Sequence, residues 1–340
     1  MTSTSTSGES AFTVLPLGGI LQEFRVAGRN IVLGFPAQEH YAKYNTAYFG
    51  STIGRTTNRL KDSVINNLNG KTYTITTKQG PNSLHGGREG WNSKVFDGPK
   101  AVFRNGREGL ELKYLSKDGE EGYPGTVELR TWYTAGKEAG EEGKPLKTVL
   151  EIEYEVEFVG DECEETAVGV TNHTYFNLSD GPTIEGTEAV LATSNYLPID
   201  STGIPIGTIE HYTSTEVNKP FFLNATSPDI DDCFVMDADA ASIPVDTRSR
   251  PLRLNAAFKH LITGIHLEVH STEPAFQFYT GKYIDIPSVG GAPQRGPRSG
   301  FCVEPSRYIN APNEPDWKGM SVLKKGHIWG SKIVYKAWKE

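Results

Sequence analysis

Apolar and polar residues alternate with a period of two along most of the chain, which is the pattern of strands with one buried face. Glu151–Phe158 shows it most cleanly. Ile152, Tyr154, Val156 and Phe158 fall on one side, Glu151, Glu153, Glu155 and Glu157 on the other. Such a strand sets one face on a core and turns the other to solvent or to a salt-bridged neighbour. Short apolar runs fill 12–35. Further strand patterns cover 95–103, 109–116, 126–134, 188–192, 196–199, 232–236, 252–255, 263–270, 275–280, 300–304 and 331–339. Residues 64–77 predict a hairpin turning at Asn69-Gly70, a pair that tolerates positive φ. Ala135–Lys147 reads as a long hairpin loop or a mobile excursion, and Ser242–Arg250 and Pro287–Ser299 as surface loops. No strong amphipathic helix, repeat or linker stands out. The expectation is an all-β fold, one large antiparallel β-sandwich over 11–340 behind a disordered tail over 1–10.

Composition narrows the class. The chain has 340 residues, enough to bury a sizeable core, and its 36 glycines and 20 prolines suit many turns. With 42 acids against 34 bases the net charge is −8, which argues against nucleic acid or an anionic membrane as partner. Cys163, Cys233 and Cys302 are odd in number, widely spaced and without a CxxC, so neither a disulfide framework nor a zinc knuckle is indicated. The N-terminus lacks the basic start and apolar centre of a signal peptide, and no apolar run approaches membrane-spanning length. Glycosylation sequons at Asn172 and Asn177 fall inside the densest polar motif, where a glycan would obstruct it. A reducing, cytoplasmic setting fits these features.

That motif is Thr171–Ser179 (TNHTYFNLS). A partly buried histidine is easily tuned across neutral pH, and here His173 has asparagines and a tyrosine as neighbours. A core histidine satisfied by a tyrosine hydroxyl is the plainer alternative. Downstream, Phe301–Pro305 places Glu304 in an otherwise apolar strand, where a carboxylate needs a partner or a ligand. Pro305 is expected to stop the ladder and leave Glu304 at a sheet rim, and a salt bridge to Arg307 is the plainer reading. His85 precedes two glycines that let backbone pass close by, and an exposed turn histidine fits as well. Arg59, after Asn58, offers forked donors suited to hydroxyl pairs, although a surface arginine fits too. His266, Glu268 and His270 share a strand face but are not in the helical HExxH arrangement, and Asp229–Asp232 lacks EF-hand spacing.

Taken together, Gly50–Leu60 (GSTIGRTTNRL), Pro81–Gly87 (PNSLHGG), TNHTYFNLS, Phe276–Gly281 (FQFYTG) and Gly300–Pro305 (GFCVEP), followed by Ala311–Asn313, resemble the aldose 1-epimerases, or galactose mutarotases. The resemblance implies a large β-supersandwich that interconverts the anomers of free aldohexoses. It implies His173 as general acid to the ring oxygen and Glu304 as general base at the anomeric hydroxyl. His85 would be a second active-site histidine that binds and polarises near the ring oxygen. Asn58, Arg59, Asp231 and Gln277 would bind the sugar, with Thr174 and Tyr175 flanking it beside His173. The family's Asp-His-Asn is Asp231-Asp232-Cys233 here, so Asp232 is the alternative to Asp231. No metal or organic cofactor is implied, and the partner would be a small sugar, met by a monomer or weak homodimer. The competing expectations are a hexose-6-phosphate epimerase using Arg55, Arg88, Arg295 and Arg298, and a non-catalytic carbohydrate-binding or sensing module.

Overall fold

The structure, a computed structural model, describes residues 11–140, 143 and 145–340. The tail expected over 1–10 lies outside these residues. Two antiparallel sheets dominate. The larger has nine strands in the order Phe221–Leu223, Thr187–Leu191, Arg253–His260, Ile265–Ser271, Ile328–Lys339, Lys147–Phe158, Val127–Glu138, Arg107–Ser116 and Asp97–Arg104. The smaller has six, in the order Tyr175–Phe176, Phe301–Ser306, Ala275–Tyr279, Asp231–Val235, Asn195–Leu197 and Glu210–His211.

The sheets meet through aromatic side chains that the alternation turns inward. The Phe258 ring of the large sheet stacks on Phe301 of the small one at 4.2 Å and lies 5.7 Å from Phe278. Tyr335 meets Phe176 edge-on at 5.0 Å. Each fully buried phenylalanine of this layer contributes roughly 2–3 kcal/mol through the water it sheds.

On the far face of the large sheet the glutamates of Lys147–Phe158 are ion-paired to neighbouring strands and loops. Glu153 takes Arg104 at 2.6 Å, Glu157 takes Arg130 at 2.7 Å, and Glu155 is shared by Arg130 and Arg248. Of the two expectations for that face, the salt-bridged neighbour is the one observed.

Three expectations change. The strand expected over 126–134 continues to Glu138 and its partner starts at Lys147, so the hairpin loop expected over 135–147 is shorter and both its ends are ladder, with Ala135 opposite Leu150 and Glu138 opposite Lys147. Pairing prevailed over the polar composition because Glu138 is itself held by Arg107 at 3.3 Å and Lys336 at 2.7 Å. Residues 141, 142 and 144 lie outside the described set. A seven-residue helix, Gln38–Tyr44, went unread because two turns are too short to show a period; its buried Tyr41 packs on Phe35 at 4.9 Å. The two surface loops are partly interior, with Thr247, Arg298 and Ser299 buried.

The hairpin at 64–77 forms as expected, with Asn69 and Gly70 at φ 49° and 73° between Val64–Leu68 and Lys71–Thr74.

Candidate active site

The small sheet carries its chemistry on the face turned away from the aromatic layer. Gln277 lies opposite both Glu304 and Cys233, and Tyr279 opposite both Cys302 and Asp231. Because side chains alternate, Asp231, Gln277, Cys302 and Glu304 therefore share one face while Phe276, Phe278, Phe301 and Val303 share the other.

Pro305 does not stop this strand. Phe301–Ser306 runs through it, with Pro305 opposite Phe276. Tyr175–Phe176 pairs only Phe301 and Cys302 on the other side, so the missing N–H costs no ladder bond there.

His173 arrives from a short strand, Thr171–His173, that pairs with Ser51–Ile53. Its Nε2 lies 3.5 Å from Oε1 of Glu304. His85 reaches the same place from the turn after Ser83–Leu84, with its own φ at +51° and its backbone N–H donating to the carbonyl of Asn58 at 2.9 Å. The following Gly86 has φ +83°, and a Cβ there would lie 1.9 Å from the carbonyl oxygen of Gly54, so this turn admits only glycine. The His85 and His173 rings are 5.3 Å apart and nearly perpendicular. His85, His173 and Glu304 retain 7%, 5% and 5% of their exposure, enough to meet a ligand but not bulk water.

A hydrogen-bonded chain runs beside them. Arg59 donates to the side-chain Oδ1 of Asn58 at 3.1 Å, Asn58 to Gln277 Oε1 at 3.2 Å, and Gln277 to Asp231 Oδ1 at 2.8 Å. The structure thus brings together His85, His173, Glu304, Asn58, Arg59, Gln277 and Asp231. Asp232 turns to the Tyr212 hydroxyl instead.

Thr174 is not brought in. It is fully buried, and its hydroxyl is tied to the Asn172 side chain, because one residue along a strand faces the opposite way. Tyr175 packs its buried ring 5.2 Å from that of His173, as a backing rather than a flank.

Three further residues join the site. Tyr48, at φ +64°, sets its ring 4.9 Å from His85 and 5.4 Å from His173. Lys78 lies over that ring at 4.9 Å. Cys302 approaches Nδ1 of His173 at 3.4 Å. Cys302 was legible, since two residues before Glu304 means the same strand face. Tyr48 and Lys78 were not, because loop geometry alone carries them there.

Burial sets the electrostatics. It holds His173 down to about 4 and His85 well below the usual imidazole value, the latter helped by the charges of His173, Lys78 and Arg59. It pushes Glu304 well above the carboxylate range, with Asp231 adding to the rise and Arg59 opposing it. In the sugar-free site the neutral forms of both partners are therefore favoured, despite their proximity. Asp231 is likewise raised, by desolvation first, against Gln277 and Arg59.

The donor atoms of His85, His173 and Glu304 lie within 4.8 Å of one another, close enough for acid–base work on a shared ligand. The salt bridge considered for Glu304 goes elsewhere, as Arg307 pairs with Glu273. His266 and His270 are taken by Glu340 and Glu268 on the outer sheet face. A cavity of about 830 Å³ between Thr13, Gln22, Pro36 and Arg295 is lined by none of these residues, and its Glu23 is paired with Arg25.

A family model described as aldose 1-epimerase matches residues 2–336. The chain belongs to the aldose 1-epimerase family. A galactose mutarotase from Sus scrofa is 34% identical over 87% of this chain and 80% of its own length. A bifunctional protein gal10 from Schizosaccharomyces pombe is 34% identical over 95% of this chain but only 43% of its own. The chain thus spans about half the length of bifunctional relatives of this kind. In fold, an aldose epimerase homologue from C. elegans superposes with a TM-score of 0.78 at 23% identity, covering 96% of this chain and 95% of its own. A galactose 1-epimerase from Lactobacillus acidophilus gives 0.77 at 21% identity, covering 99% and 93%. No helix among the described residues is long and apolar enough to cross a membrane.

Proposed function

We propose that this chain is an aldose 1-epimerase acting on free aldohexoses such as glucose and galactose. The observation that carries the reading is the 3.5 Å approach of His173 Nε2 to Glu304 Oε1 beside the Asn58–Gln277–Asp231 chain. Opening the ring needs a proton taken from the C1 hydroxyl and another given to the ring oxygen. Glu304 takes the first and His173 supplies the second, so the C1–O5 bond breaks to leave the aldehyde. Rotation about C1–C2 and the reverse transfers close the other anomer. Two side chains exchanging protons suffice, and the step calls for no metal or organic cofactor. His85, kept neutral, polarises the ring oxygen, while Asn58, Arg59, Gln277 and Asp231 hold the hydroxyls. Tyr175 supports the His173 ring from behind.

The protonation directions refine the mechanism. Ionised Glu304 with protonated His173 is the productive state. Neutral Glu304 with neutral His173, which burial favours, holds the same single proton, one transfer away. The pair is then active while it holds one proton in all. Below about pH 4 His173 gains a second proton while Glu304 is already protonated, and no base remains. Above the raised value of Glu304 the pair is empty and no acid remains.

Polarimetry on fresh α-glucose and α-galactose across pH tests this, with a bell-shaped rate expected and a flat profile rejecting it. Glucose 6-phosphate is the control for the phosphosugar reading. Two of that reading's cations are already committed to the protein: Arg55 to Ser116, Thr166 and the Pro124 carbonyl, and Arg298 to the carbonyls of Asn224, Ser227 and Pro228. The family likeness, the three unpaired cysteines and the net charge of −8 support a cytoplasmic enzyme formed by 11–340 as one unit.

A further inference from the structure

Cys302 and Glu304 grip the two nitrogens of one imidazole from a single strand. Sγ of Cys302 is 3.4 Å from Nδ1 of His173, and Oε1 of Glu304 is 3.5 Å from Nε2. Cys302 is fully buried, and the ring between them is boxed in by Tyr48, His85 and Tyr175 at 5.2–5.4 Å. The ring of a general acid must keep one nitrogen permanently protonated while the other gives and takes the reacting proton. Nε2 is the nitrogen that faces Glu304 across the place of the exchanged proton, so Nδ1 is the one that keeps its own. The sulfur therefore accepts from Nδ1–H, and the Tyr175 hydroxyl donates to the same sulfur.

We propose that Cys302 is a positioning residue that accepts the Nδ1–H of His173 and so reserves Nε2 for the proton exchanged with the sugar. Sulfur suits that place because it is a weak, uncharged acceptor. A carboxylate in the same position would hold the imidazolium and make it a poor donor. A thiol orients the ring and leaves it ready to release its proton. The thiol stays uncharged because burial, with the Glu304 carboxylate two residues away, keeps it protonated. The charged and titratable groups around His173 are then Glu304, His85, Tyr48, Tyr175 and Cys302 in contact, with Lys78, Arg59 and Asp231 behind them.

The proposal rests on the catalytic reading for its kinetic arm only, since the state of the ring can be read in protein without sugar. Ring ¹⁵N resonances of His173, assigned by their loss in His173→Asn, are followed against pH in wild type and in Cys302→Ser, Cys302→Ala and Cys302→Val. The expected result is a protonated Nδ1 and bare Nε2 in the neutral wild-type ring. Serine, the better acceptor, should raise the His173 titration point, and alanine and valine should lower it. In polarimetry alanine and valine should lower kcat roughly three- to tenfold, the worth of one weak hydrogen bond, with KM unchanged and serine restoring the rate. A mere packing role predicts the reverse order, with valine better tolerated than serine and no movement of the titration. A proton on Nε2 in the neutral wild-type ring, or one titration point shared by all four proteins, overturns the proposal. Loss of sugar turnover in every protein, wild type included, would count against the catalytic reading and leave the resonance result to decide the role of Cys302.

Discussion

Glu304 and Arg307 stand three residues apart in the chain, both ionisable and both buried, and the protein treats them in opposite ways. Arg307 is nearly saturated. It pairs with Glu273, donates to the carbonyls of Met320 and Val245 at 2.8 Å each, and lies 4.9 Å from the Trp329 ring. Glu273 in turn accepts from Thr247 at 2.9 Å. Glu304 has His173 at 3.5 Å, beyond a good hydrogen bond, and a like-charged neighbour in Asp231. A buried charge that only holds structure must have its donors and acceptors met at home. A buried charge meant to act is left short of partners, which is why its affinity for protons is so displaced. The same strand end supports both, with the reactive group on the sheet face and the structural one beyond the last paired residue.

Glu304→Gln should separate the two roles most sharply. Positioned acid–base catalysis is worth roughly 10²–10⁴-fold, so mutarotation should fall by that order while sugar still binds. The thermal midpoint should hold or rise, because an under-partnered buried carboxyl contributes little to the fold. A variant that melts early yet turns over normally would erase the contrast.

Arg307→Met is the converse. It strands Glu273 in the interior and should cost about 3–5 kcal/mol in urea unfolding, with kcat per folded molecule unchanged. Adding Glu273→Leu should recover much of the loss, since an apolar pair of similar volume replaces the ion pair. If the double variant is no more stable than the single one, the cluster owes its stability to something other than mutual pairing.

How much of this contrast the sequence carried depends on the range of the forces involved. Period-two alternation is local, so strands such as Lys147–Phe158 and Val64–Leu68 were readable, and so was the face shared by Cys302 and Glu304. The choice of Glu273 over Glu304 as the partner of Arg307 was not. Arg307 is close to Glu304 in the chain but turns into a different cluster, and only the folded backbone decides that. Tyr48 and Lys78 escaped for the same reason, as both enter the site from loops whose φ angles no residue pattern announces. The family motifs named Thr174 as a neighbour of the sugar, whereas alternation after His173 already implied that it points inward. In that instance the local physical rule was the better guide.

The adjacent carboxylates Asp231 and Asp232 repeat the comparison at its smallest scale. The sequence left both open. Asp231 shares a strand face with Gln277 and Glu304 and accepts from Gln277 at 2.8 Å, whereas Asp232 faces the Tyr212 hydroxyl. If the Asn58–Gln277–Asp231 chain orients Gln277 toward a sugar hydroxyl, Asp231→Asn weakens that orientation and should raise KM roughly three- to tenfold with kcat nearly unchanged, since one hydrogen bond is altered. Asp232→Asn should leave KM within about a factor of two, because it changes a contact on the other face of the strand. The two variants remove the same charge from neighbouring positions, so a purely electrostatic influence on Glu304 would move both pH profiles alike. Orientation through Gln277 moves only the first KM. Equal effects from the two would return the whole chain beside the acid–base pair to scaffold.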